Sequence, residues 1–256
     1  MTKKLIAFDL DGTLAPSKSA LPERMGEVLN RLLNNFMVCV ISGGKFEQFQ
    51  KQVLSSNKLK DAKLENLHLM PTCGTRYYIS KNKKWEVVYE ENFTPRQKQK
   101  IITALNKGLD SLNLRENKVY GELIEDRLSQ ITLSVLGQDI VDVLGEKGIQ
   151  IKEAWDPDNL KKEKLREFVA PLIPEFEVKV GGLTSIDVTK PGIDKAYGMK
   201  KLMDGLNLVK EDILFVGDRL SPGGNDYPVK EFGIDSIEIN HWQETALVVE
   251  TILAVI

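Results

Sequence analysis

At 256 residues the chain has room for one large domain or two modest ones, at roughly 150 residues each. Its 42% hydrophobic and 28% charged residues are those of an ordinary globular protein, and a formal net charge of −2 gives no electrostatic case for a nucleic-acid partner. No apolar run approaches the ~20 residues of a membrane span, and the apolar stretch after the basic Met1-Thr2-Lys3-Lys4 start is too short for a signal peptide. Cys39 and Cys73 are the only cysteines, so a reducing, cytoplasmic compartment without a disulfide framework is expected.

Residues 5–8 are an uninterrupted apolar run that meets Asp9-Leu10-Asp11-Gly12-Thr13. Such a run bounded by turn residues reads as a buried strand of a parallel sheet, and ligands of these sheets sit beyond the carboxyl ends of the strands. Alternation would point Asp9 and Asp11 to opposite faces; a turn at Gly12 can bring both to one site. Two carboxylates there can share a divalent cation, and one can attack phosphorus as a covalent nucleophile. An Asp-rich turn with no chemistry is the competing reading of this stretch alone.

Leu21, Met25, Val28, Leu29, Leu32 and Leu33 then recur at helical spacing. Residues 36–41 form a second apolar strand, ending at Ser42-Gly43-Gly44, and Phe46, Phe49, Val53 and Leu54 share one face of a following helix. This is a right-handed βαβ unit. Ser42 holds the place on its strand that Asp9 holds on the first. A hydroxyl with the backbone N–H groups of Gly43 and Gly44 suits an anionic oxygen, although a plain Ser-Gly turn explains the same residues.

The middle of the chain changes character. Residues 75–79 and 85–89 flank a polar turn and read as a hairpin, followed by a helix over 95–112 and strands over 119–125 and 130–136. Leu160, Leu165, Phe168 and Val169 mark another helix, stopped near Pro171 and Pro174, and strands follow at 176–180 and 185–188. Alternating, half-exposed strands imply an antiparallel sheet with one face covered by helices, hence a second domain inserted into the first. From residue 190 the α/β style returns: a helix over 192–206, an apolar strand over 213–216 ending at Gly217-Asp218, a glycine-rich loop over 219–226 closing on Asn225-Asp226, a strand over 234–239 and a last helix over 242–254.

Three strand ends thus present Asp9 with Asp11, Ser42, and Asp218 with Asn225 and Asp226. Four carboxylates on one sheet edge repel one another and push some of their pKa values up; a Mg²⁺ ion, which prefers oxygen ligands, removes that conflict. Lys195, at the start of its helix, can pair with Asp9 and with phosphoryl oxygens, although a solvated helical lysine is the commoner role.

In this order Phe8-Asp9-Leu10-Asp11-Gly12-Thr13, Ser42-Gly43, Lys195 and Gly217-Asp218 with Gly224-Asn225-Asp226 resemble the four motifs of the haloacid dehalogenase superfamily. The resemblance implies a Rossmann-like parallel-sheet core with an inserted α+β cap domain. It implies that Asp9 is the nucleophile, Asp11 the general acid/base, Ser42 a holder of phosphoryl oxygen and Lys195 the residue that orients nucleophile and phosphate. It further implies Mg²⁺ bound by Asp9, Asp218 and the Asp11 carbonyl, with Asn225 and Asp226 as further candidates.

An insert between the second and third motifs is similar to the type IIB cap. Gly181-Gly182-Leu183-Thr184-Ser185-Ile186-Asp187-Val188 and Ile124-Glu125-Asp126-Arg127 resemble the eukaryotic phosphomannomutase subfamily. Arg127, Thr184, Ser185 and Asp187 are thereby implied in substrate binding, with Gly43 and Gly44. Two departures stand out. Leu128-Ser129-Gln130 replaces an Asn-Gly-Met of the subfamily, and Gly137-Gln138 replaces a Gly-Arg pair. Gln lacks the charge-assisted fork of Arg, so one phosphate clamp is gone; Arg76 and Arg115 are candidate cations to replace it.

The expectation is therefore a core of residues 1–83 and 189–256, a cap of 84–188, and Mg²⁺-dependent hydrolysis of a small phosphomonoester such as a sugar phosphate. A phosphohexomutase is the alternative, and a regulatory or binding protein without turnover the third reading. A homodimer through the cap is implied by the resemblance.

Overall fold

The computed structural model describes residues 3–255. The chain forms two compact units, one running up to Glu90 and resuming at Ile193, the other spanning Glu91–Gly192. In the first, β1 (Leu5–Phe8) leads to α1 (Glu23–Leu33), β2 (Met37–Ile41), and α2 (Phe46–Phe49), which runs straight into a π-helical turn (Gln50–Leu54). Then come β3 (Leu67–Met70) and the hairpin β4 (Arg76–Lys81) and β5 (Lys84–Glu90). The second unit holds α3 (Pro95–Ser111), β6 (Ile124–Asp126), β7 (Ile131–Ser134), α4 (Ile140–Leu144), α5 (Glu146–Trp155), α6 (Leu160–Val169), β8 (Glu177–Val180) and β9 (Ser185–Thr189). The chain returns to the first unit with α7 (Lys195–Leu206), β10 (Ile213–Gly217), α8 (Tyr227–Glu231), β11 (Asp235–Glu238) and α9 (Trp242–Ala254).

The core sheet has the order β11-β10-β1-β2-β3-β4-β5, parallel as far as β3 and antiparallel for the last two strands. β1 and β3 are buried along their whole length because helices cover both faces. Ile6, Phe8, Val38 and Val40 pack toward α1 and α9, while Leu5, Ala7, Cys39 and Ile41 pack with Met199 and Leu202 of α7. Full burial of each large apolar side chain stabilises the core by about 1.5–3 kcal/mol. Phe8 stands opposite Val40 on one side and Val216 on the other, so the residues just beyond them, at the carboxyl ends of three adjacent strands, meet at one edge.

The domain boundaries lie at 90/91 and 192/193 rather than at 83/84 and 188/189. The hairpin is the cause: Asn82 and Lys83 both take positive φ, 51° and 61°, the backbone of a tight two-residue turn whose twist suits the flanking strands. β5 therefore folds back on β4 and stays in the core sheet. The expected strand over 119–125 shrinks to β6, because Gly121 has φ 75° and Tyr120 bonds Leu136 and Asp139 outside any ladder. β3, α4, α5 and α8 are additional to the expected elements.

In the second unit the sheet order is β6-β7-β9-β8, all antiparallel. Ile131, Leu133, Ile186, Val188 and Val178 form its apolar face and pack with Ile101, Leu105 and Leu109 of α3 and Leu165 and Val169 of α6. The opposite face is polar: Thr132 stands between Glu125 and Asp187, and Ser134 opposite Ser185. Among the described residues no helix is long and apolar enough to cross a membrane.

One buried pair in the core sets an acid limit. His68 Nδ1 and the Tyr77 hydroxyl are hydrogen-bonded at 2.6 Å, both side chains are buried, and His68 Nε2 has no partner. Burial pushes His68 down to about 4, whereas an unfolded His titrates near 6.5. The folded value is the lower one, so this stability is complete above pH 6.5 and is lost as pH falls toward 4, by on the order of 3 kcal/mol. His68→Gln keeps a neutral partner for Tyr77 and does not titrate. Its urea midpoint is expected to fall less than that of wild type between pH 6.5 and 4; parallel profiles would remove His68 from the account.

Candidate active site

Asp9 follows β1 and donates its backbone N–H to Val216 O at 3.1 Å, which locks it to the end of β10. Its carboxylate is buried, 3% exposed, and accepts from Lys195 Nζ, while Thr13 Oγ1 lies at 3.5 Å. Lys195 is the first residue of α7, whose N-cap Asp194 accepts the Tyr197 N–H at 2.8 Å and so fixes where the helix starts. The ammonium also donates to Asp226 Oδ1 at 2.5 Å, and Asp226 Oδ2 accepts Arg219 N–H at 3.1 Å. Asp226 and Lys195 are at most 1% exposed.

Asp218 completes the group: oxygens of Asp9, Asp218 and Asp226 lie within 4.8 Å of one another. Gly12 makes the approach possible. Its φ is +90°, and a Cβ there would sit 2.5 Å from Asp218 Oδ2, so any other residue would push that carboxylate away.

Three carboxylates against one ammonium leave a formal charge of −2 in a largely buried place. Burial is the main force pushing Asp9 up, to about 7; Lys195 opposes it and Asp226 adds to it. Burial also raises Asp218, with Asp226 reinforcing it. Burial alone would lower Lys195, but Asp9 and Asp226 outweigh it and hold it charged. A divalent cation with a preference for oxygen matches this donor set in both charge and chemistry, so Asp9, Asp218 and Asp226 fit Mg²⁺. Asn225, next to Asp226, is exposed.

Ser42 is buried at the end of β2 and its Oγ accepts Gly44 N–H at 3.2 Å. The turn after β3 braces this loop from outside: Cys73 N–H donates to Ser42 O and Thr72 N–H to Gly44 O, both at 2.9 Å. The Asp11 carboxylate does not join the three-carboxylate group. Its oxygens accept from Lys18 N–H at 2.7 Å and from the side-chain amides of Gln48 and Gln52 at 2.7 and 3.1 Å. Neither glutamine figured among the expected site residues. The available signal was a buried Gln between Phe49 and Val53.

In the second unit Arg127 donates to Glu125 Oε2 at 2.6 Å and has Gln138 Oε1 at 3.5 Å. Asp187 Oδ1 accepts from Thr132 Oγ1 at 2.7 Å and Gln130 Nε2 at 3.0 Å. Thr184 is fully buried with its hydroxyl 3.2 Å from that of Ser134, and Ser185 sits opposite Ser134 on β9. Asp126 is paired with Lys98 at 2.7 Å; the acid ion-paired with Arg127 is Glu125. Arg76 lies in the core hairpin, bound to Glu90, and Arg115 is bound to Asp110.

A parallel α/β core with acids and a lysine gathered at the carboxyl ends of β1 and β10, interrupted by an α+β insert, defines the class. A profile of haloacid dehalogenase-like hydrolases matches residues 6–228, and the chain belongs to that family. It is similar to phosphomannomutase of Encephalitozoon cuniculi, 27% identical over 239 residues, covering 89% of this chain and 84% of the relative. It is also similar to human phosphomannomutase 1, 28% identical over 249 residues, with 88% and 82% covered. Among solved structures it resembles the Plasmodium falciparum IMP-nucleotidase, with a TM-score of 0.68 at 19% identity, over 100% of this chain and 68% of that one. A haloacid dehalogenase-like hydrolase from Bacteroides thetaiotaomicron gives a TM-score of 0.64 at 18% identity, over 98% and 100%. At these identities the structural matches speak to the fold alone.

Proposed function

We propose that the protein is a Mg²⁺-dependent phosphatase acting on a small phosphomonoester, a sugar phosphate, through an aspartyl-phosphate on Asp9. An Asp9 oxygen attacks phosphorus and the bond to the leaving oxygen breaks, while Asp11 supplies that oxygen with a proton. Asp11 then takes a proton from water, the water oxygen attacks phosphorus, and the Asp9 carboxylate is released with inorganic phosphate. Lys195 orients the Asp9 carboxylate between attacks. Ser42 Oγ and the Gly43 N–H hold phosphoryl oxygens, and the Gly44 N–H, bonded to Ser42 Oγ, orients that hydroxyl. Mg²⁺, held by Asp9 and Asp218 with Asp226 beside them and the Asp11 carbonyl added by family resemblance, supplies the positive charge that lets a carboxylate approach an anionic ester.

The observation that carries water, rather than a second hydroxyl, as acceptor is the charge on the polar face of the cap sheet. Arg127 is ion-paired with Glu125 and Lys179 with Glu177, and Asp187 adds a further negative charge. Gln138 meets Arg127 where the resembling subfamily carries a second Arg. A face of net −1 suits the hydroxyls of a neutral leaving group better than a second phosphate. Arg127, Thr184, Ser185 and Asp187 are the cap residues proposed for that recognition.

Phosphohexomutase is the second reading, favoured by the names of the relatives. Incubation with mannose 1-phosphate or glucose 1-phosphate, Mg²⁺ and a trace of hexose 1,6-bisphosphate separates the two. Free phosphate, lost on chelation and regained with Mg²⁺, is the expected result. Clean conversion to the 6-phosphate without phosphate release replaces the phosphatase with the mutase. Neither reaction in Mg²⁺ leaves the binding-protein reading. A reducing cytoplasmic setting is proposed for a chain with only two cysteines, and sedimentation tests the homodimer.

A further inference from the structure

We propose that Gln48 and Gln52 are positioning residues for Asp11: with the Lys18 amide they form a three-donor socket that fixes its carboxylate for proton transfer to the leaving oxygen. The proposal rests on the phosphatase reading, in which Asp11 is the general acid/base.

Both oxygens of Asp11 are engaged, from two directions. Oδ1 takes Lys18 N–H and Gln52 Nε2, and Oδ2 takes Gln48 Nε2. A carboxyl held at one oxygen can swivel; held at both, its plane is fixed. The donors come from separate pieces of the fold, the turn after β1 and the continuous α2 and π-helical turn, where Gln48 and Gln52 stand four positions apart. The socket thus ties the β1 turn to the helix that follows the Ser42–Gly44 loop.

Gln52 is costly for any other purpose. It is 1% exposed, flanked by the buried Phe49 and Val53, and its Oε1 has no partner. A buried amide with one unpaired atom is destabilising where an apolar side chain would pack well. What the amide gains is its two donated bonds, to Asp11 Oδ1 and Ser19 O. Gln48 shows a matching accommodation: a Cβ on residue 44 would lie 2.1 Å from Gln48 Oε1, so Gly44 leaves the room this side chain occupies. The phosphate-side loop and the socket therefore touch.

There is a physical need for such a device. A mobile fourth carboxylate near Lys195 and a cation would be drawn into the group of Asp9, Asp218 and Asp226. The three donors hold Asp11 out of that group and leave it for protons.

The test compares two esters. General acid help matters for a sugar phosphate, whose alkoxide leaves poorly, and little for p-nitrophenyl phosphate, whose phenolate leaves readily. Gln48→Ala and Gln52→Leu are expected to lower kcat/KM on glucose 6-phosphate by about 10–100-fold, a share of the 10²–10⁴ of general acid–base catalysis. On p-nitrophenyl phosphate kcat/KM, which reports the steps up to departure of the leaving group and not the later attack of water, should stay within about threefold, while kcat falls wherever that water attack limits turnover. Asp11→Asn should give the same ester-selective pattern in kcat/KM, with kcat lowered on both esters, and Asp11→Asn with Gln48→Ala should be no slower than Asp11→Asn alone. Equal losses of kcat/KM on both esters, no loss on either, or additive losses in the double variant overturn the socket. If Gln52→Leu does not fold, the half-buried Gln48 decides. Should wild type release no phosphate from either ester, the phosphatase reading falls by itself. The same variants are then scored on single-turnover phosphorylation of Asp9 from glucose 1,6-bisphosphate against p-nitrophenyl phosphate, with the same two patterns separating success from failure.

Discussion

Asp9→Asn is expected to cut phosphate release by at least about 10⁴-fold, some 5.5 kcal/mol in the barrier, with the protein still folded. The amide keeps the shape of the carboxylate and can still accept from Lys195, but it cannot form the acyl-phosphate bond. Stability should move the other way. Burial raises Asp9 to about 7, above its unfolded value of about 3.9, so its contribution is present below the unfolded value and lost as pH rises through 7. At pH 8 without metal, wild type carries that strain and the Asn variant does not, so the variant's urea midpoint should equal or exceed wild type's. Activity within about tenfold of wild type would remove Asp9 from the nucleophile's role, whatever the stability does.

How far this site was legible depends on which force placed each residue. Asp9 and Asp218 stand where an apolar run stops at an acid, and that pattern is local, so the sheet edge could be read from sequence. Lys195 needed the family resemblance, because a lysine at a helix start is usually solvated; its burial between Asp9 and Asp226 comes from the way α7 packs beside β1. Asp226 was expected at the metal, and its Oδ1 is the second partner of Lys195. β3 escaped because it is four residues long with His68 inside it, too short for alternation to separate from a loop. α4 and α5 escaped because they are short and meet at Gly145, at φ 57°. The Asp11 socket depends on side-chain direction through a π-helical turn, which shifts the face a helix presents, and no helical spacing rule anticipates that.

Removal of Lys195 should have the largest effect on stability. Lys195→Met keeps length and apolar stem but removes the cation that contacts both Asp9 and Asp226, each at most 3% exposed. The formal charge of the group goes from −2 to −3. Breaking a buried ion pair by removing one partner typically destabilises by about 3–5 kcal/mol, because the remaining charge stays desolvated and unpaired. Here two carboxylates are orphaned, and Asp218 stands close to both. The metal-free variant is therefore expected to unfold at a much lower urea concentration at pH 8 and to recover part of that loss at pH 5, where Asp9, raised to about 7 by burial, is protonated and the repulsion eases. Millimolar Mg²⁺ should stabilise the variant more than wild type, since the ion then replaces the missing charge. Activity should stay low even in Mg²⁺, because a cation at the carboxylates does not restore the ammonium that orients Asp9. A urea midpoint within error of wild type at pH 8 without metal would mean that Lys195 does not neutralise this group.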